Sequence, residues 1–127
     1  MKISKIISAF SIASGPSELL KHKNEIEICF SKKTIEEILH TLESYNNEWC
    51  LQTAKIIKSK SPTSLKVTLR ALLEGEQLDF DACMKMEYQL TCHLLQGHDF
   101  YEGVRAAIID KDQSPRWKPA RLEDVNL

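Results

Sequence analysis

Three observations in the 127-residue sequence predict an all-α fold. Apolar residues recur at three- and four-residue spacing in segment after segment, as helices with one buried face require. Helix punctuation brackets those segments: Thr34 with Glu37, Ser61 with Pro62, Asp79, and glycines at 75 and 97. Strand signals are missing, with neither alternating β-branched runs nor Asn-Gly or Asp-Gly hairpin dipeptides.

The first segment runs from Met1 to about Ile12, where Ile3, Ile6, Ile7 and Phe10 repeat at helical spacing. Lys2 and Lys5 ahead of a short apolar stretch also imitate a secretory leader. Ser4, Ser8 and Ser11 interrupt that stretch and favour the helix. "SGPS" breaks the chain, and Ser17 opens "ELLKHKNEIEICF", with Leu19, Leu20, Ile26, Cys29 and Phe30 as its apolar stripe.

Thr34 and Glu37 form a capping box for the next helix, whose inner face is Ile35, Ile38, Leu39 and Leu42. "NNEW" starts another, with Trp49, Thr53, Ile56 and Ile57 expected inward. In "SPTSLKVTLRALLEG", Ser61 caps and Pro62 takes the first position, where its missing N–H costs nothing. Gly75 is expected to close that helix in the left-handed conformation, and Leu65, Leu69, Leu72 and Leu73 line one side. The longest helix runs from a cap at Asp79 to Gly97, and "DFYEGVRAAIID" is the last, with Asp99 and Glu102 as a second capping box. Beyond it the chain reads as polar and extended. The organisation is an N-terminal helix or linker over 1–15 and a helical domain over 16–127.

Charge narrows the function. Seventeen basic against eighteen acidic residues leave a net charge of −1, without the basic excess of a nucleic-acid binder or of a protein docked on an anionic membrane. No apolar run approaches the roughly 20 residues of a membrane span. Cys29, Cys50, Cys83 and Cys92 form no Cys-x-x-Cys pair, and read as thiols of a reducing compartment.

Candidate chemistry concentrates in the last third. On the long helix, Phe80, Cys83, Met84, Met86, Tyr88, Leu90, Leu94 and Leu95 cover more than half the circumference, so packing on two sides is expected. Glu87 falls inside that arc. An acid there is an acid/base residue or, by the preferred reading, one half of a buried ion pair with Arg70 or Arg105. Cys83, Cys92, His93 and His98 do not converge as zinc ligands would, so no metal site is expected. Neither a nucleophile elbow nor a phosphate-binding glycine loop is present. Gly103 lies inside a helix and, with Ala107, makes a strip open to close approach by another backbone or a ligand. Arg105 flanks it and suits either a carboxylate or a phosphate.

"SPTSLKVTLRALLEG", "MEYQL" and "GHDFYEGVRAAIIDKDQSPRWKP" together resemble the C-terminal part of 3-hydroxyisobutyryl-CoA hydrolases, of the enoyl-CoA hydratase/isomerase (crotonase) superfamily. "IEICFSKKTIEEILHTLES" and "NEWCLQTAKIIKSKSPTS" fit the same family in the same order, so the match runs from about Pro16 onward. The resemblance implies hydrolysis of a small branched acyl-CoA thioester, as in valine breakdown. It also implies a C-terminal helical domain that lacks the N-terminal β/α spiral core, where the oxyanion hole and catalytic carboxylates reside. No catalytic role therefore passes to any position here, and coenzyme A enters only as part of the substrate of the full-length family.

What does carry over is a CoA-phosphate contact at Lys111, after Asp110, in the family's final-helix pattern. The aromatic residue that hydratases place two positions before that acid is Ile108 here. Read without the family, Lys111 is a solvated lysine at a helix C-terminus. Arg105 is the second candidate for the phosphate. The bare apolar faces imply self-association or a second protein chain, with no nucleic acid and no membrane. The alternative function is a free-standing helical interaction module derived from the same family. The resemblance places the protein in a bacterial cytoplasm or a eukaryotic mitochondrial matrix.

Overall fold

The computed structural model describes residues 3–11, 15 and 17–126, and among them the regular structure is helical, with no strand. The elements are α1 (Ile3–Phe10), α2 (Lys23–Cys29), α3 (Ile35–Tyr45), α4 (Glu48–Lys58), α5 (Pro62–Gly75), α6 (Phe80–Leu94) and α7 (His98–Val104). Met1, Lys2, Ile12, Ser14 and Pro16, which the first helix and the following break were expected to include, lie outside the described residues, as does the side chain of Ile6.

Local chemistry accounts for most boundaries. Ser17 caps a short 3-10 turn, Glu18–His22, that leads into α2, so the expected single helix is two pieces. Thr34 accepts from the backbone N–H of Glu37, and Glu37 reaches back to the N–H of Lys33. Asn46, at φ 54, ends α3 in the left-handed region, and Asn47 immediately caps α4 through the N–H of Cys50. Asp79 caps α6 through the N–H of Ala82. Gly75 has no positive φ; it is the last residue of α5 and the chain turns through right-handed Glu76. A Cβ there would stand 3.6 Å from Met86 Cε and 3.8 Å from Cys83 Sγ, so Gly75 sits where α5 and α6 approach.

α3 is the centre, packed by α2, α4 and α5, while α6 leans chiefly on α5. The core is small: Cys29, Ile35, Ile38, Leu39, Leu42, Cys50 and Ala54, with Ile57, Leu65, Leu69 and Leu122 packed against it. All four expected inner residues of α3 are buried. α4 differs from expectation in part. Its fully buried residues are Cys50 and Ala54 and Ile56 is exposed, whereas Trp49 and Ile57 are half-buried against the core as expected, the Trp49 ring also stacking on His22 with centroids 4.6 Å apart. Small side chains at 50 and 54 let α4 approach α3 closely, with the larger Trp49 and Ile57 at the edge of the contact. Burial, helped by neighbouring Cys29, pushes the Cys50 thiol up to about 11, so it stays protonated and inert.

The two-sided packing expected of α6 does not occur. Cys83, Met86 and Leu90 are half-buried, whereas Phe80, Met84 and Tyr88 form an exposed stripe at four-residue spacing. Glu87 is exposed too. Arg70 pairs with Glu74 and Arg105 with other acids, so the expected buried pair with Glu87 is absent. The helical wheel assigned Glu87 to an interior that this chain does not supply.

Candidate functional site

α7 runs on through a five-residue π-helical turn, Arg105–Ile109, closed by the Asp110 N–H donating to Arg105 O at 2.8 Å. Such turns widen the helix and recur at functional sites. Lys111 and Gln113 then adopt positive φ, 57° and 53°, and fold the chain back along α7; the Gln113 N–H donates to Ala106 O.

The fold-back gathers charges around Arg105. Its Nε and Nη2 donate to the two oxygens of Glu102 at 2.9 and 2.8 Å. Nη1 donates to Asp110 at 2.6 Å and to Asp112 at 2.7 Å, and Nη2 also donates to Ser114 O. Glu102 is only 10% exposed and accepts a further bond from the Arg116 N–H at 2.7 Å. The Arg105 guanidinium, then that N–H, hold its carboxyl down to about 2. Asp112 is lowered by the same guanidinium and by the Ser114 N–H. Arg105 itself is raised by Glu102, Asp112 and Asp110.

Glu102 is therefore a clasp and not the expected helix cap. The N-cap of α7 is Gly97, with no side-chain cap bond, and Glu102 lies a full turn inside the helix. Asp99 is not a cap either. It accepts from the Ser61 hydroxyl at 2.5 Å and from the Lys118 N–H at 2.8 Å. His98 Nε2 donates to Arg116 O at 3.0 Å. Three side chains of α7 thus grip successive backbone groups of the returning tail.

The Gly103 strip is already covered from within. The Trp117 ring lies over it, and its Nε1 donates to Ser59 O at 3.0 Å. Close approach at Gly103 was correctly expected, but its partner is the tail of the same chain. Ala107, on the same strip, is exposed.

A shallow cleft of about 610 Å³ opens beside the clasp, lined by His98, Glu102, Arg105, Asp110, Asp112, Ser114 and Arg116. Its walls carry three carboxylates against two guanidinium groups, and one of those is engaged by all three acids. A carboxyl held near 2 is a poor proton acceptor at neutral pH, so Glu102 is unsuited to general-base work. Lys111 is exposed on the turn and does not line this cleft, so the structure does not join Lys111 and Arg105 into one phosphate clamp. Sequence reasoning missed Asp110 and Asp112 as partners of Arg105; acids on either side of a lysine just after an arginine-bearing helix were the available signal.

The enoyl-CoA hydratase/isomerase family model matches residues 1–127. The chain belongs to that family. Among curated proteins it is 49% identical over 107 residues to the human 3-hydroxyisobutyryl-CoA hydrolase, mitochondrial, covering 84% of this chain and 28% of that protein. It is 44% identical over 107 residues to a probable 3-hydroxyisobutyryl-CoA hydrolase of Arabidopsis thaliana, covering 79% and 28%. The enoyl-CoA hydratase/isomerase member here thus spans a little over a quarter of the curated relatives it matches. Solved structures agree. A carnitinyl-CoA dehydratase from Mycobacterium thermoresistibile superposes with a TM-score of 0.87 at 26% identity, over 98% of this chain and 36% of that one. An enoyl-CoA hydratase from Rhodobacter sphaeroides gives 0.81 at 31% identity, over 97% and 39%. The helices described above are therefore the helical portion of a crotonase-type fold.

Proposed function

We propose that this chain is the C-terminal helical part of a 3-hydroxyisobutyryl-CoA hydrolase-type thioester hydrolase, with a place in valine breakdown, and that it is not catalytic by itself. The 49% identity to the human hydrolase, confined to 28% of that protein, carries the reading. Chemistry supports the second half: the most strongly perturbed carboxylate among the described residues, Glu102, is spent on Arg105 and the tail backbone. With a core supplied, the helices complete an acyl-CoA pocket and its assembly. Incubating the chain alone with 3-hydroxyisobutyryl-CoA should release no free thiol above background; clear turnover would overturn the proposal.

Within that reading Lys111 is the CoA-phosphate contact. It projects from an exposed left-handed turn, where an ammonium can reach a ligand without dismantling the fold. Arg105 serves this contact less well, since a phosphate beside it would face Glu102, Asp110 and Asp112. Titrating CoA while following Trp117 fluorescence tests it: Lys111→Ala should abolish a saturable change that Arg105→Lys retains. The mitochondrial names of the vertebrate relatives support a matrix location in a eukaryotic host, and no described helix is long and apolar enough to cross a membrane.

A further inference from the structure

Arg105 touches every second residue of the reversal that follows α7. Its Nη1 donates to Asp110 and to Asp112, and its Nη2 to Ser114 O at 3.2 Å. The residues between those contacts, Lys111 and Gln113, are the two at positive φ. Neither has the missing Cβ of glycine or the short polar side chain of Asn and Asp that eases the left-handed region. A left-handed lysine persists only where its surroundings over-determine it. Here they do. One guanidinium nitrogen holds both of its neighbours, and the Gln113 N–H closes the loop on Ala106 O at 3.1 Å.

The same contacts sort the charges. Asp110 and Asp112 line the cleft beside the clasp, whereas Lys111 lies outside it and is exposed. Both carboxylates pair with Arg105, and neither with the lysine between them. Released, the two acids would compete for that ammonium at close range, and a lysine already paired is a poor partner for an incoming anion. The planar fork of Arg105 reaches Glu102, Asp110, Asp112 and Ser114 O at once, which the point charge of a lysine cannot reproduce.

We propose that Arg105 is the positioning residue for Lys111: it locks the reversal over 110–114 and keeps both flanking carboxylates off the ammonium, presenting Lys111 to a phosphate of CoA. Arg105 acts through the turn and does not touch the ligand. The choice of ligand rests on the reading of Lys111 as the CoA-phosphate contact; the locking of the turn does not.

Two measurements on the full chain separate those parts, with circular dichroism confirming that each variant stays helical. Without ligand, deuterium exchange at the Gln113 amide should quicken about tenfold in Arg105→Gln and stay unchanged in Lys111→Ala. With CoA, followed through Trp117 fluorescence, Kd should rise about tenfold in Arg105→Gln and less in Arg105→Lys, which keeps a charge-assisted contact. The double variant Asp110→Asn with Asp112→Asn leaves Glu102 on Arg105 and should also bind more weakly. Charge alone predicts the reverse, since removing two acids beside an anion site favours the anion, so tighter binding there would overturn the proposal. An unchanged Gln113 amide in Arg105→Gln would overturn the positioning. A wild-type chain with no saturable response to CoA would overturn the reading of Lys111 and the ligand named here, and the exchange result would still decide whether Arg105 locks the turn.

Discussion

Trp117 packs directly on the backbone of Gly103: a Cβ built at 103 would stand 3.4 Å from Cη2 and 3.6 Å from Cζ3 of the indole. That separation is ordinary contact, so one methyl group fits and anything larger does not. Gly103→Ala is expected to stabilise the chain by up to about 1 kcal/mol, since glycine weakens a helix interior. Gly103→Leu should instead lift the indole, costing about 1–3 kcal/mol and changing its fluorescence. Thermal melts of the pair decide it, and two substitutions of the same sign would contradict the packing.

The clasp makes acid stability depend on Glu102. Its ordinary value of 4.5 falls to about 2 in the folded chain. A carboxyl lowered by folding adds stability that is complete above its unfolded value and fades as pH falls from there through the folded one. Stability should therefore decline between pH 4.5 and about 2, with Asp112 contributing in the same direction. In Glu102→Gln that limb should flatten, and the Arg116 amide should exchange faster with deuterium at neutral pH.

Ser61 serves two elements at once. Its hydroxyl accepts from the Ser64 N–H to cap α5 and donates to Asp99 at the start of α7. Ser61→Ala should cost about 1–2 kcal/mol in urea unfolding, the scale of a lost cap. Ser61→Asp would keep the cap but set a second carboxylate against Asp99, so it should rescue less than Ser61→Thr.

Leu42 is fully buried at the centre of the core. Leu42→Ala should remove about 2–5 kcal/mol. With so few buried side chains, that loss is expected to broaden or abolish cooperative unfolding, whereas Leu72→Ala at an exposed position of α5 should shift the midpoint little. Equal effects at the two positions would contradict the exposed placement of Leu72.

How far the sequence could be read follows from which interactions are local. α3 was legible completely, because the capping box of Thr34 and Glu37 and the spacing of Ile35, Ile38, Leu39 and Leu42 all lie within one helix. α4 was legible in part: Trp49 and Ile57 do face the core, but Ile56 does not and the two most buried residues were missed. Periodicity located the helix, but Cys50 and Ala54 are inside because of how closely α3 lies against it, a fact about two helices. Glu87 fails for a related reason, since a wheel reports how apolar a surface is and not whether anything covers it. The tail was least legible. The π turn and two left-handed residues bring Asp110 and Asp112 onto Arg105, and no periodic pattern encodes that reversal. The family assignment survived these errors because it rested on whole motifs in order.

The tail is held mainly by its main chain. His98 takes the carbonyl of Arg116, Glu102 its amide, and Asp99 the amide of Lys118, while the side chains of Arg116 and Lys118 face solvent. A segment gripped this way tolerates exchange of those two residues but not a change in their count. Inserting or deleting one residue between Ser114 and Trp117 would slide every grip out of phase and carry the indole off Gly103. At positions 116 and 118 spacing is the constraint and residue type is largely at liberty, while Trp117 between them is fixed by its contact with Gly103.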